Sequence, residues 1–411
     1  MTLSEILQAR GFVNQFSSET LAEITDGEKR ALYLGVDPTA ESIHVGNLAG
    51  YMLLRHFAEA GHKVVLLIGG GTGMIGDPKP DVERPLTPPE VVAARADKLT
   101  SQARQLLGGV ELEVVNNADW LAPLSLIDFL RDIGKHFTVN ALIKKDAISA
   151  RLGSEEGISY TEFAYPLLQA YDFWHLFREK GVTVQVGGSD QWGNITAGVE
   201  LIRRKEGKMV YALTLPIIVD KSTGKKFGKS EGNAVWLDPK MTTPFEFYQF
   251  WLNASDESVE DYLKIFTLLS LEDIASVVHE QRENPGARAA QKKLALEATA
   301  IVHGRGEAEA ARDASDVLFG VAELTPETAH ALRTGAPMQK VAEGDALADV
   351  LVLSSLASSK REARQFLDDG AVLLAGAKTD GGRLIGSGDF LEGVAILKRG
   401  KKHAVVLVLQ K

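Results

Sequence analysis

The chain of 411 residues contains no cysteine and no long apolar run. The lack of cysteine excludes disulfide bonds and thiolate metal sites, and it fits a reducing, cytoplasmic compartment. No stretch reaches the roughly 18 apolar residues that a membrane span needs. Residues 1–10 are polar and mixed in charge, whereas a signal peptide requires an apolar segment. We therefore expect a cytoplasmic protein that has no membrane partner.

Positive charge is also scarce, because 45 Lys and Arg stand against 55 Asp and Glu, which gives a formal net charge of −10. This balance argues against a general nucleic-acid coat, since phosphate neutralisation needs cations. Residues 345–411 are the exception, because ten Lys or Arg and eight Asp or Glu give them +2 and leave −12 for residues 1–344. Any polyanion contact is therefore expected near the C-terminal end.

The first half of the chain shows the pattern of an α/β protein. Residues 31–36 and 64–68 are predicted strands, and the helix predicted at 48–60 between them implies a parallel βαβ unit. Residues 182–186 form a further predicted strand. The segment 119–152 carries amphipathic helices, which form either an interface or a crossover lying on the sheet.

The second half reads differently, and 411 residues exceed the usual size of one core, so two or three domains are expected. Residues 242–320 are helical throughout. Residues 324–346 contain two prolines and two glycines and are interpreted as an irregular linker. The remainder, with two short helices and three short strands, suggests a small α+β module.

The turn between Gly35 and Asn47 is the first candidate site. A predicted strand breaks through Pro38 and continues as a helix that begins near His44. Free backbone N–H groups at a helix start attract anions, and a histidine there can add another donor. The sequence leaves two interpretations open, a phosphate site and an ordinary turn with a polar cap.

Residues 71–76 match the dinucleotide pattern G-x-G-x-x-G, but their context does not fit that function. The fingerprint requires a helix that opens at the glycines, whereas Asp77-Pro78 follows here at once. The alternatives are a glycine loop that places Asp77 in a pocket, or a plain turn capped by that aspartate.

A lysine-rich loop, Lys225-Lys-Phe-Gly-Lys-Ser230, is flanked by Gly224 and Gly232. Flanking glycines suggest a loop that can move, and lysine ammonium groups suit phosphate oxygens. The simpler interpretation is a solvated charge run.

Two of these stretches resemble signatures of the class I aminoacyl-tRNA synthetases. His44-Val-Gly-Asn47 resembles their HIGH motif, and Lys226-Phe-Gly-Lys-Ser230 resembles their KMSKS loop. Three longer stretches, residues 33–39, 165–172 and 187–194, are similar to the bacterial tyrosyl-tRNA synthetases. The resemblance spans nearly the whole chain, including its C-terminal region.

The resemblance implies an α/β fold with a Rossmann-like, parallel-sheet catalytic domain, an all-helical domain and a small C-terminal α+β RNA-binding domain. The implied boundaries are 1–224 for the catalytic domain with a helical insertion near 119–160, 225–323 for the KMSKS-type loop and helical domain, 324–344 for a linker and 345–411 for an S-four-type RNA-binding domain.

The resemblance also implies an activity, in which tyrosine and ATP give tyrosyl-adenylate and pyrophosphate before tyrosine passes to the 3′-terminal adenosine of tRNA(Tyr). The implied tyrosine contacts are Tyr33 and Asp172 at the phenol, Asp77, Tyr165 and Gln169 at the amino group, and Gln191 at the carboxylate. The implied ATP contacts are Asp37, His44, Gly46, Asn47, Gly188, Asp190, Lys229 and Ser230. Catalysis is assigned to Thr39, His44, Arg84, Lys226 and Lys229. By pattern alone, core aromatics on a strand and a helix are the favoured interpretation of Tyr33 and Tyr165.

Mg²⁺ is expected to accompany ATP, with no protein metal site, no zinc and no redox cofactor, and a homodimer is implied. Three departures from the family pattern stand out. Asn47 occupies the place of the second histidine of HIGH, and Phe227-Gly228 replaces Met-Ser of KMSKS. The segment 79–84 is one residue shorter than in many family members, so the match of Lys79 to the family's lysine there stays open.

The C-terminal cations are the expected tRNA contacts. Lys360, Arg361 and Arg364 share one helical face at spacings of three and four. Arg399, Lys401 and Lys402 form a second cluster. The simpler interpretation is a solvated helical face. Rival functions are a tryptophanyl-tRNA synthetase, a small-molecule adenylyltransferase, or a non-catalytic synthetase-like RNA-binding protein.

Overall fold

The computed structural model describes residues 1–78, 86–153, 157–224, 227, 229–230, 233–336, 338–400 and 403–410. Its helices are α1 Leu3–Arg10, α2 Ala22–Thr25, α3 Val45–Glu59, α4 Pro89–Leu106, α5 Ala118–Leu121, α6 Leu126–Asp132, α7 Val139–Leu142, α8 Asp146–Leu152, α9 Tyr160–Lys180, α10 Trp192–Glu206, α11 Pro244–Leu252, α12 Val259–Phe266, α13 Leu271–Glu283, α14 Ala289–His303, α15 Arg305–Phe319, α16 Pro326–Gly335, α17 Leu347–Leu353 and α18 Lys360–Asp368. Its strands are β1 Gln15–Phe16, β2 Ala31–Val36, β3 Lys63–Ile68, β4 Leu112–Asn116, β5 Val182–Gly188, β6 Tyr211–Leu215, β7 Lys229–Ser230, β8 Asn233–Ala234, β9 Met338–Val341, β10 Val372–Leu374, β11 Ala377–Lys378, β12 Val394–Arg399 and β13 His403–Leu409.

The chain divides into two compact units. One comprises Met1–Leu237 with Glu260–Ile274, and the other comprises Asp238–Val259 with Ala275–Lys411. In the described residues, no helix is long and apolar enough to cross a membrane.

The first unit is built on a six-stranded sheet of order β1-β6-β5-β2-β3-β4. Its five longer strands are parallel, and only β1 pairs antiparallel, with β6. The predicted βαβ unit is confirmed as β2-α3-β3. The strand order reverses direction between β2 and β5, and in such sheets ligands bind at the carboxyl ends beside that switch point. The fold therefore marks the ends of β2 and β5 as the candidate site.

The predicted helical insertion is confirmed as α5 to α8, which lie between β4 and α9. Its apolar side chains are only partly used in the core. Leu142 and Ile148 are buried, whereas Leu126, Ile127 and Val139 are more than 60% exposed. This exposed apolar surface lies on the first unit.

The second unit combines α11 to α18 with a five-stranded sheet of order β11-β10-β12-β13-β9. Successive side chains of β12 point to opposite faces of this sheet, and both faces are buried. Val394 and Ile396 pack in a cluster with Phe245 and Leu332, while Leu397 belongs to a separate buried cluster around α17 and α18. The C-terminal strands thus share a buried core with the helices before them.

The prediction of an irregular linker at residues 324–346 is wrong, because this segment contains α16 and β9. Thr325 caps α16 by accepting from the Thr328 N–H at 3.3 Å, with Pro326 at the first helical position. Strand β9 pairs in parallel with β13, from Met338 opposite Val406 onward. A strand that forms through a partner some 70 residues away leaves no local signal.

Candidate active site

A cavity of about 340 Å³ lies at the carboxyl ends of β2 and β5. It gathers most of the side chains that the sequence singled out. The predicted residues that line it are Tyr33, Asp37, Thr39, His44, Gly46, Asn47, Asp77, Tyr165, Gln169, Asp172, Gly188, Asp190 and Gln191. Arg84 and Lys226 lie outside the described residues, as does Lys79, while Lys229 and Ser230 form β7 without described side chains.

Asp172 is a buried carboxylate held by two neutral donors. Asn117 Nδ2 donates to its Oδ2 at 2.9 Å, and Trp120 Nε1 donates to its Oδ1 at 2.7 Å. Burial raises the pKa of Asp172 to about 7, although these hydrogen bonds lower it, and the charge of Asp37 raises it further. Two fixed donors therefore orient a carboxylate whose remaining lone pairs can accept another donor in the cavity.

The raised pKa of Asp172 predicts a pH dependence of folding stability. Between pH 4 and 7 the folded protein keeps a proton that the unfolded chain has released, so the contribution of this group to the free energy of unfolding falls as pH rises. Asp172→Asn removes that contribution. From pH 4.5 to pH 8 its free energy of unfolding, relative to wild type, should improve by up to about 3 kcal/mol. Denaturant titrations at both pH values measure this, and an unchanged difference would contradict the raised pKa.

Tyr33 presents an unsatisfied hydroxyl near Asp172. The side chain is 1% exposed, and its hydroxyl has no hydrogen-bond partner among the described residues. Burial and then the Asp172 charge raise its pKa well above the usual value, so the hydroxyl keeps its proton. Gln169 Oε1 is buried without a partner in the same set of residues. Such groups are costly unless a ligand pairs with them, so this end of the cavity is prepared for a polar ligand.

A second carboxylate, Asp37, is tied to the helix that carries Asp172. It accepts from the Tyr165 hydroxyl at 2.8 Å and from Thr72 Oγ1 at 2.7 Å. A Cβ on Gly69 would collide with the Asp37 carboxylate, so a glycine is required there. Residues 72–74 form a short 3-10 turn. Gly69 thus admits a carboxylate, and a 3-10 turn stands among the glycines of residues 71–76, where the dinucleotide fingerprint requires the start of an α-helix.

Asp77 lies in the cavity beside the start of α10. Its carboxylate accepts from Gln191 Nε2 at 2.8 Å and from Asn194 Nδ2 at 3.0 Å. Lys145 lies near this group and donates to the Gly193 carbonyl, and burial lowers the pKa of its ammonium to about 8 against the opposing charge of Asp77. Asp77 is therefore a third carboxylate of the cavity, after Asp172 and Asp37.

His44 caps α3, as expected. Its Nδ1 accepts from the Gly46 N–H at 3.1 Å, which leaves the proton of the neutral imidazole on Nε2 as a donor. A Cβ on Gly46 would approach the His44 ring at 2.9 Å and the Phe227 carbonyl at 3.2 Å. Close packing of the histidine and the lysine-rich loop thus requires glycine at this position.

The sequence predicted free backbone amides at the start of α3, and this prediction is wrong. The Val45 N–H donates to the Val235 carbonyl at 2.8 Å, and the Asn47 N–H donates to the His44 carbonyl at 2.9 Å. With Gly46 bonded to the imidazole, the first three amides all have protein partners. The cause is the bridge between His44 and Trp236, which brings a second backbone segment against the helix start. The helix dipole still favours an anion at this end, and His44 lines the cavity there.

Phe227 anchors the described part of the lysine-rich loop. Its ring lies 4.5 Å from that of Tyr262 and 5.2 Å from that of Phe266, both on α12. Its N–H donates to the Ile218 carbonyl at 2.9 Å. Asp190 also lines the cavity, and a Cβ on Gly188 would lie 2.5 Å from its carboxylate.

Several site residues were missed from the sequence. Asn117 and Trp120 hold Asp172, while Thr72, Asn194 and Lys145 support the other carboxylates. Asn117 follows β4, and polar residues after a parallel strand are a usable signal, since such strand ends meet at one sheet edge. Trp120 offered no such signal.

The sheet order, the histidine-capped helix and the cavity beside it are those of a class I aminoacyl-tRNA synthetase. A family model described as "tRNA synthetases class I (W and Y)" matches residues 25–320. A second, described as "Tyrosine--tRNA ligase SYY-like C-terminal domain", matches residues 327–407. A C-terminally truncated mitochondrial tyrosyl-tRNA synthetase of Aspergillus nidulans superimposes with a TM-score of 0.68 at 31% identity, covering 76% of this chain and 92% of that structure.

Full-length relatives narrow the class to one specificity. The tyrosine–tRNA ligase of Bifidobacterium longum strain DJO10A is 44% identical over 98% of this chain and 95% of its own length. That of Leifsonia xyli subsp. xyli is 46% identical over 96% of this chain and 91% of its own length. The chain belongs to the tyrosine–tRNA ligase family.

Proposed function

We propose that this chain activates L-tyrosine with ATP and then transfers it to the 3′-terminal adenosine of tRNA(Tyr). The observation that carries the proposal is the pairing of a buried, oriented Asp172 carboxylate with the unpartnered Tyr33 hydroxyl in one cavity. A phenol satisfies both groups, because it donates to the carboxylate and accepts from the hydroxyl. A substrate without the hydroxyl leaves both unpaired, which costs binding energy.

The binding site for the α-amino and α-carboxylate groups of tyrosine is proposed around Asp77. Asp77, with Tyr165 and Gln169, would hold the α-ammonium group, and the unpartnered Gln169 Oε1 supports this as a free acceptor. Gln191, already bonded to Asp77, would orient the carboxylate of tyrosine. The substrate is thus fixed at both ends, which aligns its carboxylate for attack.

ATP would occupy the part of the cavity between α3 and the end of β5. Thr39 and His44 would contact the γ-phosphate, and Asp37, Gly46 and Asn47 would complete that wall. Gly188 and Asp190 would hold the ribose. Lys226, Lys229, Ser230 and Arg84 would approach the phosphates from segments whose side chains lie outside the described set.

The reaction needs no protein nucleophile. A tyrosine carboxylate oxygen forms a bond to the α-phosphorus of ATP, and the bond from that phosphorus to the bridging oxygen breaks, so pyrophosphate leaves. Negative charge grows on the leaving group, and His44 Nε2–H with the loop lysines stabilises it more than the ground state. A terminal tRNA hydroxyl then takes the tyrosyl group, and AMP leaves.

Mg²⁺ is proposed as a companion of ATP. In the described part of the chain, no group of three His, Asp or Glu side chains is placed to hold a metal ion. The ion would therefore be bound chiefly by phosphate oxygens and water, as Mg²⁺ often is, and it would neutralise phosphate charge.

Tyrosine-dependent exchange of pyrophosphate into ATP tests the activity. We expect exchange with tyrosine and none above background with tryptophan or phenylalanine. Exchange driven by tryptophan would point to the other specificity of the class, and exchange without an amino acid to an adenylyltransferase. No exchange by folded protein would leave a non-catalytic RNA-binding role. Charging of tRNA(Tyr) transcripts tests the second step.

The tRNA surface is proposed on α18. Lys360, Arg361 and Arg364 are exposed, and Lys360 pairs with Asp349 at 2.8 Å. Arg399 lies over the Phe366 ring at 4.8 Å, which holds its guanidinium beside α18. Lys401 and Lys402 lie outside the described residues. Phosphate contacts by such cations position an RNA without reading its sequence.

Replacing two of these cations should separate the two steps. Arg361→Ala with Arg364→Ala is expected to lower kcat/KM for tRNA about tenfold and to reduce the salt dependence of charging. Pyrophosphate exchange should be unchanged. Lys29→Ala with Lys63→Ala removes the same charge from the first unit and is the control. Equal charging by the double variant and wild type would refute the assignment. Truncation is a poorer test, because Val394 and Ile396 share a core with Phe245.

A homodimer is proposed through the exposed apolar side chains of the insertion. Leu126 and Ile127 on α6 and Val139 on α7 are 67%, 68% and 62% exposed. Neighbouring exposed apolar groups commonly mark interfaces. Wild type should sediment as a dimer at micromolar concentration, and Ile127→Asp should sediment as a monomer. Met209→Asp, at another apolar residue that is 76% exposed, should stay dimeric. A monomeric wild type would contradict the proposal.

A cytoplasmic location stays a prediction from the sequence.

A further inference from the structure

Trp120 reaches Asp172 from a weakly supported element. Helix α5 has four residues, none of them buried. The indole packs against the buried cluster that contains Tyr33 and Val65. It also lines a second, outward-facing cavity of about 570 Å³. The hydrogen bond to Asp172 therefore depends on what fixes the indole plane.

His175 supplies that support from α9. Its ring stacks on the indole with centroids 4.4 Å apart and an angle of 20° between the planes. The Tyr171 ring also stacks on His175, with ring centroids 6.2 Å apart and an angle of 26° between the planes. Because His175 follows Asp172 by three residues, one face of α9 offers both the acceptor for the indole N–H and the ring that stacks on the indole.

His175 and Trp120 both line the outer cavity, beside the indole that His175 covers. His175 lines it together with charged side chains of α4 and α9, including Arg104 and Glu179. Burial lowers the pKa of His175, although Glu179 opposes this and Lys180 adds to it, so the ring is neutral near pH 7. Without the ring, the stacked face of the indole would lose its cover, and the indole would be free to turn away from Asp172.

We infer that His175 is a positioning residue for substrate selection, which holds Trp120 so that its N–H stays on Asp172. This rests on the proposed function, in which Asp172 accepts the phenol of tyrosine. His175 does not touch the substrate. It acts through the indole, and a flat apolar ring can replace it.

Steady-state pyrophosphate exchange on purified full-length variants tests this. For His175→Ala the KM for tyrosine should rise about tenfold, the scale of one aromatic stacking contact, with kcat and the KM for ATP within about twofold. His175→Phe should restore the KM for tyrosine. Arg178→Ala is the control, because it removes a cation that lies over a different indole of the same region, that of Trp174.

A double-mutant cycle with Trp120→Phe identifies the route. Trp120→Phe alone should raise the KM for tyrosine, and adding His175→Ala should raise it no further, because the affected hydrogen bond is already absent. Additive effects would overturn the inference, as would a wild-type KM in His175→Ala. Thermal melts exclude global unfolding, and His175→Phe provides a second reading if the alanine variant fails to fold. Absence of tyrosine-dependent exchange in wild type would instead reject the proposed function.

Discussion

Asp172→Ala is expected to weaken tyrosine binding about 100-fold at pH 8, where this carboxyl is ionised, because it removes a charge-assisted hydrogen bond to the phenol worth about 1.5–3 kcal/mol. Tyr33 offers only its hydroxyl at that end of the cavity, and a neutral hydroxyl does not replace a charged acceptor. The Asn117 and Trp120 donors also lose their partner. Equilibrium dialysis with labelled tyrosine measures the change directly.

The matched control for Asp172 is Glu206, which accepts from Trp174 Nε1 at 2.7 Å and does not line the cavity. Glu206→Ala removes an equivalent carboxylate-to-indole bond and should leave tyrosine affinity within about twofold. Asp172→Asn keeps the side-chain volume and separates the charge from the packing. Unchanged tyrosine affinity in folded Asp172→Ala would refute the phenol assignment.

His44→Ala is expected to lower the rate of adenylate formation by about 10² to 10³, the usual cost of losing one preorganised transition-state donor. Tyrosine affinity should be kept, because His44 lies at the start of α3 and the phenol end of the cavity is built from β2 and α9. Single-turnover kinetics of adenylate formation at saturating tyrosine measure the rate, and equilibrium dialysis measures the affinity for tyrosine.

Loss of the helix cap is a separate effect of this substitution and needs its own control. Thr2 caps α1 by accepting from the Glu5 N–H at 3.3 Å, outside the cavity lining. Thr2→Ala should cost about 1 kcal/mol of stability and no activity. His44→Asn replaces the capping Nδ1 with a side-chain oxygen and moves the donor, so it should regain stability more than rate. Equal loss of tyrosine affinity and rate in His44→Ala would contradict a phosphate role.

Together these variants divide the cavity by chemistry. Asp172 is expected to act on affinity for the amino acid, whereas His44 acts only where charge develops on ATP. This division follows from where the residues lie, since Tyr33 on β2 and Asp172 on α9 form the phenol end of the cavity, whereas His44 begins α3.

The local elements were accessible from sequence because their signals are contiguous. Residues 31–36 form β2 as predicted, and α3 begins directly after His44. The carboxyl ends of parallel strands meet at one edge, so the strand pattern alone is enough to group the residues that follow β2, β3 and β5. The C-terminal helices and strands were likewise recognisable from short apolar runs.

The sequence by itself determined the parallel βαβ core, the insertion helices and, through motif resemblance, thirteen of the residues that line the cavity. Tertiary structure decided how those side chains are held. Asn117 and Trp120 lie 55 and 52 residues from Asp172, and only the position of β4 at the sheet edge brings them to it. The bonded amides of α3 and the strand β9 arose in the same way. Burial and hydrogen bonding between distant segments depend on the packed fold, because no local pattern encodes which partner a polar group will meet.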